Sequence, residues 1–232
     1  MEVEKQLIIL FGEIKMKNCD LSIIIPCYNL EDYIENCIES ILSQDIRRNS
    51  CEIIFICDSC TDTTVEKIKS AMSFAPKDWT WTIEIVNYRS PGLTRNKGLD
   101  LAVGKYVWFV DGDDWLINNN AIKELMAKLW KDPTLDGVRF HFQSQGYENL
   151  GMHLSVWQYI FKRNFIGDLR FIEKTPREDD EFIKQIMKKK HNILRLHGYF
   201  YHYNHPREGS IMATELASRP SVKNKQPRQR PR

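Results

Sequence analysis

The sequence predicts an α/β protein with a Rossmann-like, mostly parallel central sheet and helices on both faces. Short apolar runs alternate with amphipathic helical patterns, which is typical of parallel strands joined by right-handed crossover helices. Two of the runs, Cys51–Cys57 and Tyr106–Val110, end abruptly in acidic residues. Acids at the carboxyl ends of parallel strands meet in the crevice where open α/β sheets bind ligands. The pattern therefore predicts a ligand site as well as a fold class.

Strands and helices alternate through the first 116 residues. Pro26 ends the first strand, because proline cannot donate to a sheet ladder. Asn29 is expected to cap the following helix, and Gly92 to open a short loop that carries Arg95. The predicted strands are Leu21–Ile25, Cys51–Cys57, Trp81–Asn87 and Tyr106–Val110; the helical patterns run through Gln44, from Val65 to Met72 and around Leu99–Val103.

The second half begins with a predicted helix at Ala121–Trp130 and a strand at Gly137–Phe142. Val156–Arg163 mixes large aromatic residues with cations, and its plainest interpretation is a helix that packs on the sheet. The four acids Glu178–Glu181 are typical of a solvated helix start, which the helix dipole favours. The sequence of residues 196–211 predicts an aromatic strand with histidine side chains on its two opposite faces. A zinc site built from His197, His202 and His205 is the less favoured interpretation.

Composition indicates a globular protein, with 42% apolar and 28% charged residues. The net charge of +2 is uneven, because six basic residues and no acid follow residue 218. The rest of the chain is acidic, so there is no global electrostatic argument for nucleic-acid binding. The sequence contains no apolar stretch of membrane-spanning length. We expect a cytoplasmic protein whose basic tail contacts the inner face of the cell membrane weakly, or whose tail is simply a solvated end.

The expected domain organisation is simple. Residues 1–20 are a leader, residues 21–217 form one domain, and residues 218–232 are a disordered basic tail. Within the domain, residues 21–116 form a first half and residues 117–217 a second half. All six cysteines lie in the first 60 residues, and no second C-x-x-C accompanies Cys57 and Cys60. Reduced, partly buried thiols are therefore expected instead of a zinc site.

Three acids, Asp111, Asp113 and Asp114, follow the apolar run Tyr106–Val110. An Asp-rich turn capping the next helix would explain them, because Asp is a good turn and N-cap residue. Crowded carboxylates repel each other, however, and a divalent cation that holds phosphate oxygens is a usual reason to keep them together. Asp58, at the end of another strand, favours the cation, because both acids would converge on one crevice.

Four segments in order carry a resemblance to a known family: LSIIIPCYN, FICDSCTDTT, GLTRNKGLDLAVGKYVWFVDGDDW and EDDEF. Together they resemble the inverting glycosyltransferases of family 2, which have the GT-A fold, over roughly residues 21–212. The resemblance implies a nucleotide-sugar donor, usually a UDP-sugar, and a divalent cation, Mn²⁺ or Mg²⁺. It also implies transfer of the sugar to a hydroxyl of a glycan or lipid-linked acceptor, as in surface polysaccharide synthesis.

The resemblance also assigns roles to individual residues. Pro26 and Tyr28 would line the nucleotide pocket, with Glu31 nearby, and Asp58 would accept a hydrogen bond from the uracil ring. Arg95 would meet base or phosphate. Asp111 would lie nearer the ribose, and Asp113 nearer the metal. The family usually has two acids and a glycine where this chain has Cys57, Asp58 and Ser59, so the nucleotide preference follows less directly than the fold.

Inverting transfer needs a base that deprotonates the acceptor hydroxyl opposite the leaving diphosphate. The family motif E-D-x-x-F matches Glu178, Asp179 and Phe182, which makes Asp179 the corresponding base. The resemblance would also place Val156–Arg163 beside the acceptor, and it gives His202 a chance of reaching the metal or phosphate.

Three other classes compete with a transferase. A phosphatase of the haloacid dehalogenase type also has D-x-D after a strand, but it needs Thr or Val where Trp115 stands. A dinucleotide-binding oxidoreductase would show G-x-G-x-x-G after the first strand, and Pro-Cys-Tyr-Asn follows instead. A non-catalytic sugar-nucleotide binder remains open because of Cys57 and Ser59, whereas Asp113 and Asp179 together favour an enzyme.

Overall fold

The computed structural model describes residues 19–46, 50–76, 79–144, 155–173 and 177–204. Residues 1–18 of the predicted leader, the basic tail, His205 and the end of the aromatic strand lie outside these ranges. Among the described residues, eight strands form one sheet in the order β3-β2-β1-β4-β7-β6-β8-β5. This mixed sheet, with helices on both faces, confirms the predicted fold class.

Four parallel neighbours make the first half of the sheet. They are β1 (Leu21–Cys27), β2 (Cys51–Asp58), β3 (Thr80–Val86) and β4 (Tyr106–Phe109), connected by helices α1 (Ile34–Leu42), α2 (Thr64–Ser73) and α3 (Pro91–Leu101). Every residue of β2 and β4 is buried. This accounts for their continuous apolar sequences, since a parallel strand is covered on both faces.

The second half adds antiparallel pairing. Its elements are β5 (Trp115–Leu116), α4 (Ala121–Lys131), β6 (Gly137–Gln143), a short 3-10 helix (Val156–Gln158), β7 (Tyr159–Lys162), α5 (Arg163–Ile166), α6 (Glu178–Lys188) and β8 (Ile193–His202). β7 is antiparallel to both β4 and β6, while β6 and β8 are parallel. The carboxyl ends of β1, β2, β4, β6 and β8 therefore lie at the same edge of the sheet.

Three local predictions were wrong. Val156–Arg163 is mainly a central strand, because Tyr159, Ile160 and Phe161 are buried between two neighbouring strands. Asn29 does not cap α1, which begins five residues later at Ile34; the Asn29 backbone is left-handed, with φ 48°. The expected loop around Arg95 is helical. Ser90 caps it by accepting from the N–H of Leu93 (3.4 Å), and Pro91 occupies its first turn.

The sheet separates two hydrophobic cores. Ile23 and Ile25 of β1 face α1, α2 and α4, whereas Ile24 faces α3 and α6. Gly98 of α3 lies against Ile24, and a Cβ there would be 2.3 Å from the Ile24 Cγ2 atom. This contact fixes how closely α3, and with it Arg95, approaches the sheet.

The thiols are free, as predicted: five of the six cysteines are buried and Cys60 is partly exposed. Within the described ranges no group of three or more His, Cys, Asp or Glu residues is arranged to hold a metal ion. No helix in the same ranges is long and apolar enough to cross a membrane.

Candidate active site

The loop after β4 brings its acids to the carboxyl edge of the sheet. The backbone turns back at once, because the N–H of Asp114 donates to the carbonyl of Asp111 (3.0 Å). Gly112 permits this turn to lie against α1: a Cβ at this position would be 2.6 Å from the Leu30 Cδ1 atom and 3.1 Å from Ile34. A side chain at residue 112 would require the ends of the Leu30 and Ile34 side chains to move.

Asp114 is buried beneath this loop and serves as an anchor. Its Oδ2 accepts from the hydroxyl of Tyr201 (2.6 Å), and its Oδ1 accepts from the N–H of Asn204 (2.8 Å). The same Tyr201 oxygen accepts from the N–H of Asp111 (3.0 Å). Burial, reinforced by Asp113 and Asp111, holds the pKa of Asp114 well above its ordinary value. The third acid of the run therefore holds the loop to β8.

Arg95 connects the acidic loop with α6. Its guanidinium lies 2.9 Å from Oδ1 of Asp111, 2.8 Å from Oε1 of Glu178 and 3.4 Å from Oδ1 of Asp179. Burial alone would lower the pKa of Arg95, but the three carboxylates hold it above its ordinary value. The resemblance suggested that Arg95 meets base or phosphate; in the structure its charge is directed at these acids.

Asp179 has the environment of a general base. Its Oδ2 accepts from the N–H of Val156 (3.2 Å), while the buried Oδ1 has no hydrogen-bond partner among the described residues. Burial raises the pKa of Asp179 to about 7, against the opposing effect of Arg95 and with help from Asp111 and Glu178. A carboxyl that titrates near neutrality, with one oxygen that accepts no hydrogen bond and is held only by the Arg95 ion pair, suits proton abstraction at physiological pH.

The register of the acidic run follows from the packing of α6. Phe182, Ile183 and Ile186 face the core, and Phe182 stacks on Phe171 with ring centroids 3.9 Å apart. Asp179 precedes Phe182 by three residues and so lies on the same face. Asp180 instead pairs with Arg177 at 3.6 Å. The two neighbouring acids are thus in different surroundings.

Asp58 is held by donors from the segment that follows β3. The backbone N–H groups of Tyr88, Arg89 and Ser90 donate to its carboxylate at 2.7, 2.9 and 3.0 Å, and the hydroxyls of Ser59 and Thr94 lie at 2.9 and 2.8 Å. Although burial raises the pKa of Asp58, these donors hold it below its ordinary value. The carboxylate therefore has a structural role in this turn, and its hydrogen bond to uracil stays a prediction.

Ser59 retains the backbone shape of the glycine found in the family. Its φ of 56° lies in the left-handed region that glycine adopts without strain. Its hydroxyl oxygen is 2.7 Å from Oδ1 of Asn87, so the side chain also ties β2 to the segment after β3. The departure at residue 59 therefore keeps this turn.

The remaining predicted nucleotide contacts lie on one rim. Pro26 is near the end of β1, and the ring of Tyr28 is 63% exposed, which leaves it accessible to a base. Glu31 is engaged locally: its Oε2 accepts from the hydroxyl (2.6 Å) and N–H (3.1 Å) of Thr63, which lowers its pKa. Glu31 thus joins the turns that precede α1 and α2.

Asp113 is partly exposed, two residues beyond Asp111 on the same loop. A cation such as Mg²⁺ is commonly held by one or two carboxylates together with substrate phosphates and water. The donor set fits that arrangement in its chemistry, because Asp113 and Asp111 would offer two carboxylates to a cation that also binds phosphate. His202 stacks on Trp115, with centroids 4.0 Å apart, and burial lowers its pKa.

Sequence reasoning gave no role to two residues of this site, Glu178 and Tyr201. Glu178 matched the family motif, but its pairing with Arg95 across 83 positions could not be read from the sequence. Tyr201 was one tyrosine in an aromatic run, and its contact with Asp114 spans 87 positions. The only local signal was that Asp114 was an acid more than a D-x-D requires.

A parallel sheet with acids at its carboxyl edge and a buried carboxyl on a facing helix defines the class of GT-A nucleotide-sugar enzymes. The family model for glycosyl transferase family 2 matches residues 22–193, and the chain belongs to that family. The solved structure of Staphylococcus aureus TarS residues 1–349 in complex with UDP-GlcNAc has the same fold. Its TM-score is 0.75 at 23% identity, over 84% of this chain and 61% of that one.

Similar sequences are themselves longer proteins. The uncharacterized glycosyltransferase EpsJ of Bacillus subtilis is 27% identical, over 87% of this chain and 65% of its own length. The uncharacterized glycosyltransferase YibD of Escherichia coli is also 27% identical, over 78% of this chain and 61% of its own. The mannosyltransferase PcManGT from Pyrobaculum calidifontis, solved with GDP-Man and Mn²⁺, has a TM-score of 0.71 at 20% identity, over 83% of this chain and 59% of that one. The chain thus spans about three fifths of the length of these relatives.

Proposed function

We propose that the protein transfers a sugar, with inversion, from a nucleotide diphosphate donor to a hydroxyl of a glycan or lipid-linked acceptor. The observation that carries this proposal is Asp179, a buried carboxyl with a pKa of about 7 that lies beside Arg95 and has one oxygen that accepts no hydrogen bond. A protein that only bound sugar nucleotides would have no use for such a base. Membership of family 2 supports the same activity.

In this proposal the acceptor hydroxyl donates its proton to the carboxylate of Asp179 as its oxygen attacks the anomeric carbon, and the bond from that carbon to the diphosphate oxygen of the donor breaks. Arg95 keeps the base in place and orients Asp111, which it also contacts. Asp113 and Asp111 would hold a divalent cation, which supplies positive charge for the leaving diphosphate. Tyr28 and Pro26 would line the base pocket. UDP is the proposed nucleotide, because TarS, a structural neighbour, was solved with UDP-GlcNAc.

The test is a transfer assay with a panel of UDP- and GDP-sugars, with Mn²⁺ and with EDTA. We expect donor hydrolysis or transfer for one donor, dependent on the cation and abolished by Asp113→Asn. Hydrolysis that is equally fast in EDTA would contradict the metal site. Tight UDP binding without turnover on a broad acceptor panel would instead favour the non-catalytic binder.

A further inference from the structure

The β6–β8 strand pair carries cations and aromatic rings that the proposed chemistry does not use. Arg139 and Arg195 are register partners, as are His141 and Tyr199. The His141 ring is 5.4 Å from the ring of His197 and 5.8 Å from that of Tyr199, between centroids. We call these five residues the basic strip. They lie on the sheet face shared with α3 and α6, because Arg139 also pairs with Tyr159 of that core.

The strip is accessible and uncompensated. All of its members except the half-buried Arg139 are exposed. Over the described ranges, no carboxylate lies within ion-pairing distance of either arginine. β6 and β8 contain no acidic residue. Three exposed lysines precede β8 in the sequence: Lys184, Lys188 and Lys190. A polyanion would therefore meet only positive or neutral groups along these strands.

The strip leads to the catalytic edge. β8 runs from Arg195 through His197 and Tyr199 toward the carboxyl edge of the sheet, where Tyr201 packs in the core of the opposite face. The strip itself lies on the face covered by α6, the helix that carries Asp179. At about 3.3 Å per residue, Arg195 lies roughly 20 Å from the end of the strand at Tyr201. A chain-like ligand laid along β8 would therefore have one end at the site and its anionic groups over the arginines.

One of the two arginines is held in position. The guanidinium of Arg139 lies over the ring of Tyr159, 5.5 Å from its centroid. Arg195 is exposed beside it as its register partner on β8. A positioned guanidinium group binds phosphate or carboxylate bidentately. A fixed donor with a second arginine beside it suits spaced anions of one polymer better than a fluid lipid surface.

We propose that the basic strip binds an anionic acceptor chain, a glycan with repeating phosphate or carboxylate groups whose growing end reaches Asp179. The exposed ring of Tyr199 would pack against a sugar between the anionic groups. This inference rests on the proposed transferase activity, because it names the acceptor class for that site. It does not require that the donor be identified.

The test is an equilibrium binding experiment without donor, in which fluorescence polarization at low salt measures the binding of labelled probes. The labelled probes are a hyaluronan decasaccharide, a phosphodiester-linked sugar oligomer and neutral maltodecaose. We expect the parent protein to bind one of the anionic probes and not the neutral one. R139Q/R195Q should weaken that binding at least tenfold, and the milder R195Q should weaken it less. Thermal unfolding of each variant checks that the fold is retained.

The matched control is K128Q/K131Q, which removes the same charge from exposed positions of α4 on the opposite face of the sheet. We expect its affinity to stay within twofold of the parent. Equal weakening by both double variants, no binding of either anionic probe, or binding only to vesicles containing 30% phosphatidylglycerol would overturn the proposal.

Titrating the parent protein with UDP-sugars and Mn²⁺ separates this inference from the proposed function. Donor turnover without binding of an anionic glycan contradicts the proposed role of the basic strip and leaves the transferase activity standing. Anionic-glycan binding that depends on the strip, without any donor turnover, contradicts the transferase activity and leaves the strip as a glycan-binding surface.

Discussion

Replacing Asp179 with Asn should slow sugar transfer and, above neutral pH, stabilise the fold. Loss of a general base typically costs about two to four orders of magnitude in rate. Donor affinity should change little, because the base acts on the acceptor. The stability gain arises because burial raises the pKa of this carboxyl from its ordinary 3.8 to about 7. An amide of the same shape is never ionised and does not bear the cost of a buried charge.

The sign and size follow from proton linkage. Between pH 3.8 and 7 the folded protein binds a proton that the unfolded chain has released, so stability falls as pH rises through this window. The protonated carboxyl contributes fully below pH 3.8, and the contribution is lost above pH 7. From pH 5 to pH 8 the loss is about 2.5 kcal/mol, since each pH unit is worth about 1.4 kcal/mol. The Asn variant lacks this loss.

The assay is urea unfolding of parent and variant at pH 5 and pH 8, alongside initial rates at saturating donor. Relative to the parent, Asp179→Asn should become more stable by about 2.5 kcal/mol on going from pH 5 to pH 8. The parent's transfer rate should rise through pH 7 as the base ionises.

Asp180→Asn is the control, since its carboxylate pairs with Arg177 instead of the Arg95 cluster. It should keep most of its activity and show the parent's pH dependence of stability. If the stability difference between Asp179→Asn and the parent does not change with pH, the carboxyl has an ordinary pKa and the reasoning fails. If Asp180→Asn is the inactive variant, the register of the base is wrong by one residue.

Three further variants test the surrounding site. Asp113→Asn should remove most Mn²⁺-dependent UDP binding in calorimetric titration while the thermal midpoint is kept; unchanged binding would rule out the ligand role. Tyr201→Phe leaves Asp114 and the Asp111 N–H without their shared partner, which should cost about 1–3 kcal/mol in urea unfolding; a stability equal to the parent's would show that the hydroxyl anchors nothing. Asp58→Ala should destabilise the fold by at least about 3 kcal/mol, because it strands several buried donors. Weaker UDP binding with unchanged stability would instead support the predicted hydrogen bond between Asp58 and uracil.

Regular elements could be predicted because their signals are local. The buried strands of the first half are continuous apolar runs, and α4 lies where a helix was predicted, so their positions were predicted to within a few residues. The acidic run predicted the start of α6 but not its extent. β7 could not be recognised, because a four-residue central strand and one face of a helix contain the same aromatic residues. Its identity depends on β4 and β6, which lie far away in sequence.

The site was predictable in composition but not in contacts. Asp111, Arg95 and Asp179 were selected from motifs, and the structure brings them together. What the motifs could not reveal was how each charge is compensated. Asp58 is a carboxylate on a strand end, as expected, but backbone N–H groups from the segment after β3 surround it. Backbone donors carry no sequence signature, so this role appears only once the chain is folded.

The anchoring of Asp114 to Tyr201 and Asn204 has a consequence for how the protein is made. These contacts join residues 87 and 90 positions apart, so they close late compared with the local contacts of helices. During synthesis the strands around the nucleotide pocket emerge well before β8. A ribosome-bound chain that stops short of residue 201 would therefore lack the tether of the acidic loop. The geometry of Asp111 and its neighbours thus depends on a strand that is synthesised about 90 residues after them.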